Sequence, residues 1–140
     1  MNRMSTFKYL VEGLGRPEYK QEFFLLNELK QLNINLENVI LYFKGLFVDD
    51  ADKILYVFSD AKFYILSINK GEENTLEVQI LNINEIKNIK YIKEYYDNKF
   101  KLSFIVNDVT VKLNPKLDTN MHHVHNYNEI VQEIISKLIN

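Results

Sequence analysis

His122, His123 and His125 are the only histidines in this 140-residue chain, and they share one short polar stretch with Asp118. Clustered imidazoles beside a carboxylate raise the prospect of a Zn²⁺ or Ni²⁺ site, because both ions favour nitrogen ligands. The spacing argues against it: neighbouring side chains in an extended loop project to opposite sides, while a metal needs three or four convergent ligands. No metal is assigned on this pattern. Asp49, Asp50 and Asp52 offer oxygens to a hard cation, but the segment lacks the alternating ligands, central Gly and terminal Glu of a calcium loop, and reads as a solvated turn. Ser59 and Asp60 are adjacent, yet no His is near in sequence and no glycines flank the Ser as in a nucleophile elbow, so they too read as turn residues.

Lys87, Lys90, Lys93, Lys99 and Lys101 interleave with Tyr91, Tyr95, Tyr96 and Phe100. Cations for phosphates and rings for bases are what a single-stranded nucleic-acid surface requires. Glu85, Glu94 and Asp97 dilute that charge, and the alternation equally describes the outer face of an ordinary sheet, so nucleic acid is not the expected partner. Within the stretch, Lys90, Tyr91, Lys93, Tyr95 and Tyr96 form the candidate partner surface, on the expectation that this strand lies at a sheet edge where an extended peptide can add through main-chain hydrogen bonds. No catalytic residue and no cofactor is assigned, and the chain reads as a non-enzyme.

The elements that must position this surface follow from composition and periodicity. The length suits one domain, large enough to bury a core without staples. With no Cys, disulfides, thiolate metal sites and cysteine nucleophiles are excluded together. A net charge of −2 gives no global attraction to nucleic acid or an anionic membrane. Lys8 and Glu12 interrupt the apolar residues near the N-terminus, no run approaches the ~20 apolar residues of a membrane span, and the expected location is the cytoplasm.

Residues 54–68, ILYVFSDAKFYILSI, are the densest apolar run and read as two strands joined at Asp60-Ala61. Tyr64, Leu66 and Ile68 alternate with Phe63 and Ile65, so both faces of this hairpin need cover. Upstream, the sequence predicts a short helix over 5–14 and a longer one opened by Pro17, whose Phe23, Leu26, Leu29 and Leu32 form an apolar stripe able to lie over the hairpin. A first strand is expected from Val39 to Val48, with a bulge or bend at Gly45. After the hairpin come a reversal around Gly71, a strand through Leu76, Val78 and Ile80, a turn over 82–87, and a strand from Asn88 to Tyr95 that Asp97-Asn98 ends. Phe100, Leu102, Phe104 and Val106 then alternate into an Asn107-Asp108 turn and return through Val109, Val111 and Leu113. Pro115 stops that strand, Lys116 to His125 is a loop, and a last helix is opened by Asn126 with Glu129 as a cap-like pair. Its apolar face is Ile130, Val131, Ile134, Ile135, Leu138 and Ile139.

In its order of elements the chain resembles the pleckstrin-homology superfold as it occurs in small bacterial domains of unknown function. The segments that carry the resemblance are ENVILYFKG, YVFSDAKFYILSI, ILNINEIKNIKYI, FKLSFIVNDVTVKL and the closing helix, covering residues 37–140 and leaving 1–36 as an N-terminal helical extension packed on the sheet. The resemblance implies an α+β fold in which a strongly bent antiparallel sheet of about seven strands forms a partly open barrel plugged by the last helix. It also implies a binding or adaptor scaffold for a protein or peptide. Phosphoinositide-binding members hold polyphosphates with cations near the loop between the first two strands, where this chain has Asp49, Asp50 and Asp52 flanked by Lys44 and Lys53, so phosphoinositide is not expected. A homodimer through the Tyr- and Phe-rich strands is compatible with the pattern. The second reading is an immunity or antitoxin-like protein that neutralises a toxin by direct binding.

Overall fold

The computed structural model describes residues 20–46, 48, 51–69, 75–97 and 99–140. The helix expected over 5–14, the Pro17 helix start, Asp49, Asp50 and Gly71 lie outside them. Helix α1 (Lys20–Gln31) leads through a 3-10 turn (Leu36–Asn38) into β1 (Ile40–Lys44), β2 (Ile54–Phe58), β3 (Lys62–Asn69) and β4 (Thr75–Asn82). A second 3-10 turn (Ile83–Glu85) precedes β5 (Lys87–Lys93), β6 (Phe100–Val106) and β7 (Val109–Leu113), followed by α2 (Pro115–Asp118), a 3-10 turn (Met121–His123) and α3 (Val124–Ile139).

The seven strands pair antiparallel throughout, in two sheets ordered β1-β2-β3-β4 and β5-β6-β7. A single continuous bent sheet was the expectation. The chain instead leaves β4 through the Ile83–Glu85 turn, and β4 and β5 do not pair. The sheets meet through aromatic side chains: Phe104 of β6 lies edge-on to Phe58 and Phe63, at 6.1 and 5.6 Å between ring centroids, in the geometry that aromatic quadrupoles favour. Helix α3 adds Tyr127, Ile130, Val131, Ile134 and Ile135 to the same buried cluster. The opposite face of the first sheet is also apolar, with Leu41, Phe43, Leu55, Val57 and Leu66 buried. Helix α1 packs against β3, and its Leu25, Leu26 and Leu29 join the core.

Several boundaries differ from the sequence pattern for local reasons. Strand β1 ends at Lys44, not Val48, because Gly45 turns the chain with φ +86. A Cβ placed there would clash with the Asp52 carbonyl oxygen, so any other residue strains the turn or shifts the Asp52 backbone. Strand β5 ends at Lys93, not Tyr95, because the Glu94 amide donates to the Lys99 carbonyl and the Lys99 amide to the Asp97 carbonyl, closing a turn early. Tyr95 and Tyr96 therefore sit in that turn. The expected loop 116–125 contains α2, whose first turn Asn114 caps through a hydrogen bond from the Lys116 amide. Helix α3 starts at Val124, which places Asn126 and Glu129 inside the helix, where they do not cap it.

Inside β5, Asn88 adopts φ 54 and the pairing with β6 slips by one residue between Lys87 and Lys90. This bulge inserts one extra residue. It explains why the isoleucines at 83, 86, 89 and 92 step by three and obscure the strand period. The Asn107-Asp108 turn has positive φ at both residues, 49 and 63, as a two-residue hairpin of this hand demands.

Gly45→Ala is expected to lower the unfolding free energy by about 2 kcal/mol or more, through the left-handed backbone and the contact with Asp52. Urea denaturation reads this directly; an unchanged midpoint would show that the Asp52 side of the loop yields without cost.

Candidate functional site

One set of interior polar groups converges on Asp118. Its Oδ2 accepts hydrogen bonds from the Tyr42 hydroxyl and the Asn114 amide, each at 2.7 Å, and its Oδ1 lies 3.8 Å from Lys44 Nζ. Its carbonyl accepts from the Gly45 amide at 2.7 Å, and the next residue, Thr119, bridges to Leu46. Tyr127 packs edge-on against Tyr42 at 5.0 Å and donates its hydroxyl proton to the Phe43 carbonyl. Burial and the Asp118 charge push the Tyr56 hydroxyl up to about 12, and burial first, then Asp118, drives Tyr42 well above the ordinary tyrosine value. These groups hold protons firmly, and Asp118 is enclosed by protein donors. The cluster ties the end of β1, the exit of β7 and the approach to α3 together.

The residues singled out for chemistry are dispersed. His122 and His123 occupy the 3-10 turn before α3, while His125 lies on the helix and meets Glu129 at 2.9 Å. Burial, and secondarily His122, holds the His123 imidazole below its ordinary pKa. Among the described residues no group of three or more His, Asp or Glu is placed to hold a metal ion. Ser59 Oγ accepts from the Lys62 amide and donates to the Lys62 carbonyl, closing the β2–β3 turn, and Asp60 binds Lys137 of α3 at 2.9 Å. Lys53 turns inward, donating to the Gly45 and Val48 carbonyls and lying 3.9 Å from buried Glu22. Both lysines that flank the β1–β2 loop are thus engaged within the fold. A groove of about 370 Å³ beside the end of α3 is lined by Ile83, Ile86, Ile89 and Leu138, and its titratable groups Asp60 and Lys137 are paired with each other.

Strand β5 is different. Among the described residues it is an edge of the second sheet, bonded to β6 on one side, and every residue in it except Ile89 is exposed. Tyr91 and Lys93 stand on the inner face of the sheet beyond the core, with Lys93 Nζ 5.8 Å from the Phe100 ring centroid. Lys90 and Ile92 stand on the outer face. Tyr95 and Tyr96, 89% and 93% exposed, follow in the turn and contact each other edge-on at 4.8 Å. The five predicted residues lie along one strand and its exit but do not share a face: Lys90 is on the outer side, Tyr91 and Lys93 on the inner, and Tyr95 and Tyr96 in the turn. Sequence reasoning missed the Asp118 centre and also Asn128, which accepts from the Phe100 amide and ties α3 to β6. An Asn inside an apolar helix stripe was the one available signal.

A family model described as "Protein of unknown function (DUF3908)" matches residues 8–129. No curated protein and no solved structure matches the chain.

Burial, the largest influence, raises the Asp118 carboxyl above its ordinary pKa, while the Tyr42 and Asn114 hydrogen bonds and the Lys44 charge act against it. A carboxyl whose folded pKa is raised contributes stability that is full below the unfolded pKa and lost as pH rises through the folded value. Asp118→Asn has no such proton to lose, so wild type should lose stability relative to this variant as pH rises above about 4, which paired urea titrations detect. The opposite trend would mean that the hydrogen bonds outweigh burial. Asp118→Ala, which strands the Tyr42 hydroxyl and the Asn114 amide, should cost about 3 kcal/mol near pH 4 and less as pH rises.

Proposed function

We propose, for a chain that belongs to the DUF3908 family of proteins of unknown function, that it is a non-catalytic binding module of pleckstrin-homology-like build that works in the cytoplasm. Its partner is a protein or peptide, and an extended segment of that partner pairs with the open side of β5. The observation that carries this reading is the edge position of β5, exposed and followed by two bare tyrosines. An unpaired edge presents a row of main-chain donors and acceptors, and a partner strand that satisfies them gains affinity without a pocket. Tyr95 and Tyr96 supply large contact areas at low entropic cost, as tyrosines do at binding surfaces. The division of seven strands into four and three, with one helix against the shared core, supports the pleckstrin-homology-like assignment. No described helix is long and apolar enough to cross a membrane.

The test is capture of a partner by the tagged protein from its own lysate, compared with a Tyr95→Ala/Tyr96→Ala variant. Wild type should retain a reproducible protein whose binding slows hydrogen exchange at residues 90–93. The variant should retain at least about tenfold less while unfolding within about 0.5 kcal/mol of wild type, because both side chains are solvated. A partner that protects a different surface, or salt-sensitive sedimentation with anionic vesicles and no protein partner, would overturn the reading.

A further inference from the structure

The outer face of the second sheet carries charge that the fold does not use. Strands β5, β6 and β7 contain Lys87, Lys90, Lys93, Lys101 and Lys112 and no Asp or Glu, although the whole chain is net negative at −2. The pairing register places four of these lysines on one side. Lys90, Ser103 and Lys112 form a row across the three strands, Ile92 and Lys101 a second, and Lys87, Ile105 and Thr110 a third. Among the described residues, none of Lys87, Lys90, Lys101 and Lys112 forms an ion pair. The nearby acids are at the rim: Glu94 and Asp97 in the turn after β5, where Asp97 meets Lys99 at 3.7 Å, and Asp108 in the β6–β7 turn. Like charges gathered on one sheet face repel one another, and that cost falls when opposite charge is added.

From this geometry we infer that the segment pairing with β5 is acidic, with Asp or Glu at alternate positions. The inference rests on the reading of β5 as a docking edge. A strand added beside β5 points every second side chain to the outer face, next to Lys90 and one strand short of Lys101, with Lys112 adding its charge from β7 at longer range, and these positions take the carboxylates. The intervening side chains fall beside Tyr91 and Lys93 on the inner face, where apolar residues suit the exposed ring of Tyr91 and the half-buried ring of Phe100 that it meets. A single-stranded nucleic acid fits less well, because it needs rings among the cations. The lysine face carries Ile92, Ile105 and Thr110 instead, and Tyr91 and Phe100 lie on the opposite side.

The test uses the full chain and four probes: a ten-residue peptide alternating Glu with Val, its Lys-for-Glu counterpart, a deca-thymidine oligonucleotide, and phosphatidylserine vesicles. The Glu peptide should shift and protect the amides of Lys90 to Lys93, weaken markedly as salt is raised, and lose about tenfold in affinity with Lys90→Glu/Lys101→Glu. The milder Lys90→Gln/Lys101→Gln pair should lose less, and both variants should unfold at or slightly above the wild-type midpoint, since each relieves the repulsion among the lysines. Equal binding of both peptides at β5 would leave the docking edge standing and remove the acidic preference. Binding of the Glu peptide without β5 protection, or lysine-dependent binding of oligonucleotide or vesicles tighter than of the Glu peptide, would overturn the inference in favour of a diffuse anion surface. If neither peptide binds, the acidic partner and the docking edge both fall.

Discussion

A carboxylate taken out of water must be surrounded by donors or it destabilises what encloses it, and in this fold that demand on Asp118 organises three distant stretches of chain. The Tyr42 hydroxyl and the Asn114 amide saturate one oxygen, Lys44 approaches the other, and the Asp118 carbonyl receives the Gly45 amide. The end of β1, the exit of β7 and the approach to α3 are thereby fixed to one point. Tyr127 extends the tie into the last helix by packing on Tyr42 and bonding to the Phe43 carbonyl. An apolar stripe alone would let α3 slide or roll on the two sheets, whereas directional hydrogen bonds select one setting.

The local alternation of the strands was legible in the sequence because it is written in neighbouring residues. The Phe100–Leu113 hairpin, with Asn107-Asp108 at its tip, has its apolar residues on one side and its register set by a two-residue turn. The run at 54–68 demanded cover on both faces, and the structure buries both. The pattern misled where one residue changes the phase. Asn88 adds a residue to β5 and breaks the period, and Gly45 ends β1 before its apolar run does. Asp118 was noticed only as a neighbour of histidines, since its partners Tyr42 and Lys44 lie some seventy-five positions away in the chain. The candidate surface was located by its alternating Lys and Tyr, but which side each faces depended on the bulge.

The two sheets end up in opposite circumstances. The first is buried on both faces across β1, β2 and the middle of β3, where its residues are apolar, while its outer strand β4 has no buried residue and alternates Leu76, Val78 and Ile80 with Glu77 and Gln79. The second is buried on one face, and its other face is free to carry lysines that a core would not tolerate. Division into two sheets is what exposes β5, because a continuous sheet would have paired it with β4. The same break that departs from a closed barrel therefore supplies the open edge on which the proposed docking depends.

The Asn88 bulge also limits how long anything can stay attached to that edge. It leaves regular pairing geometry only from Lys90 to Lys93, a run of four residues before the turn. At about 1 kcal/mol net for each main-chain bond, so short an added strand contributes about 4 kcal/mol, which alone corresponds to roughly millimolar affinity. Side chains must supply the remainder, and weak contacts of this kind have residence times nearer milliseconds than hours. The short edge also resists the indefinite strand-on-strand growth that leads to fibrils. On the proposed docking, the bulge thus sets the tempo of the surface as that of a quickly exchanging contact.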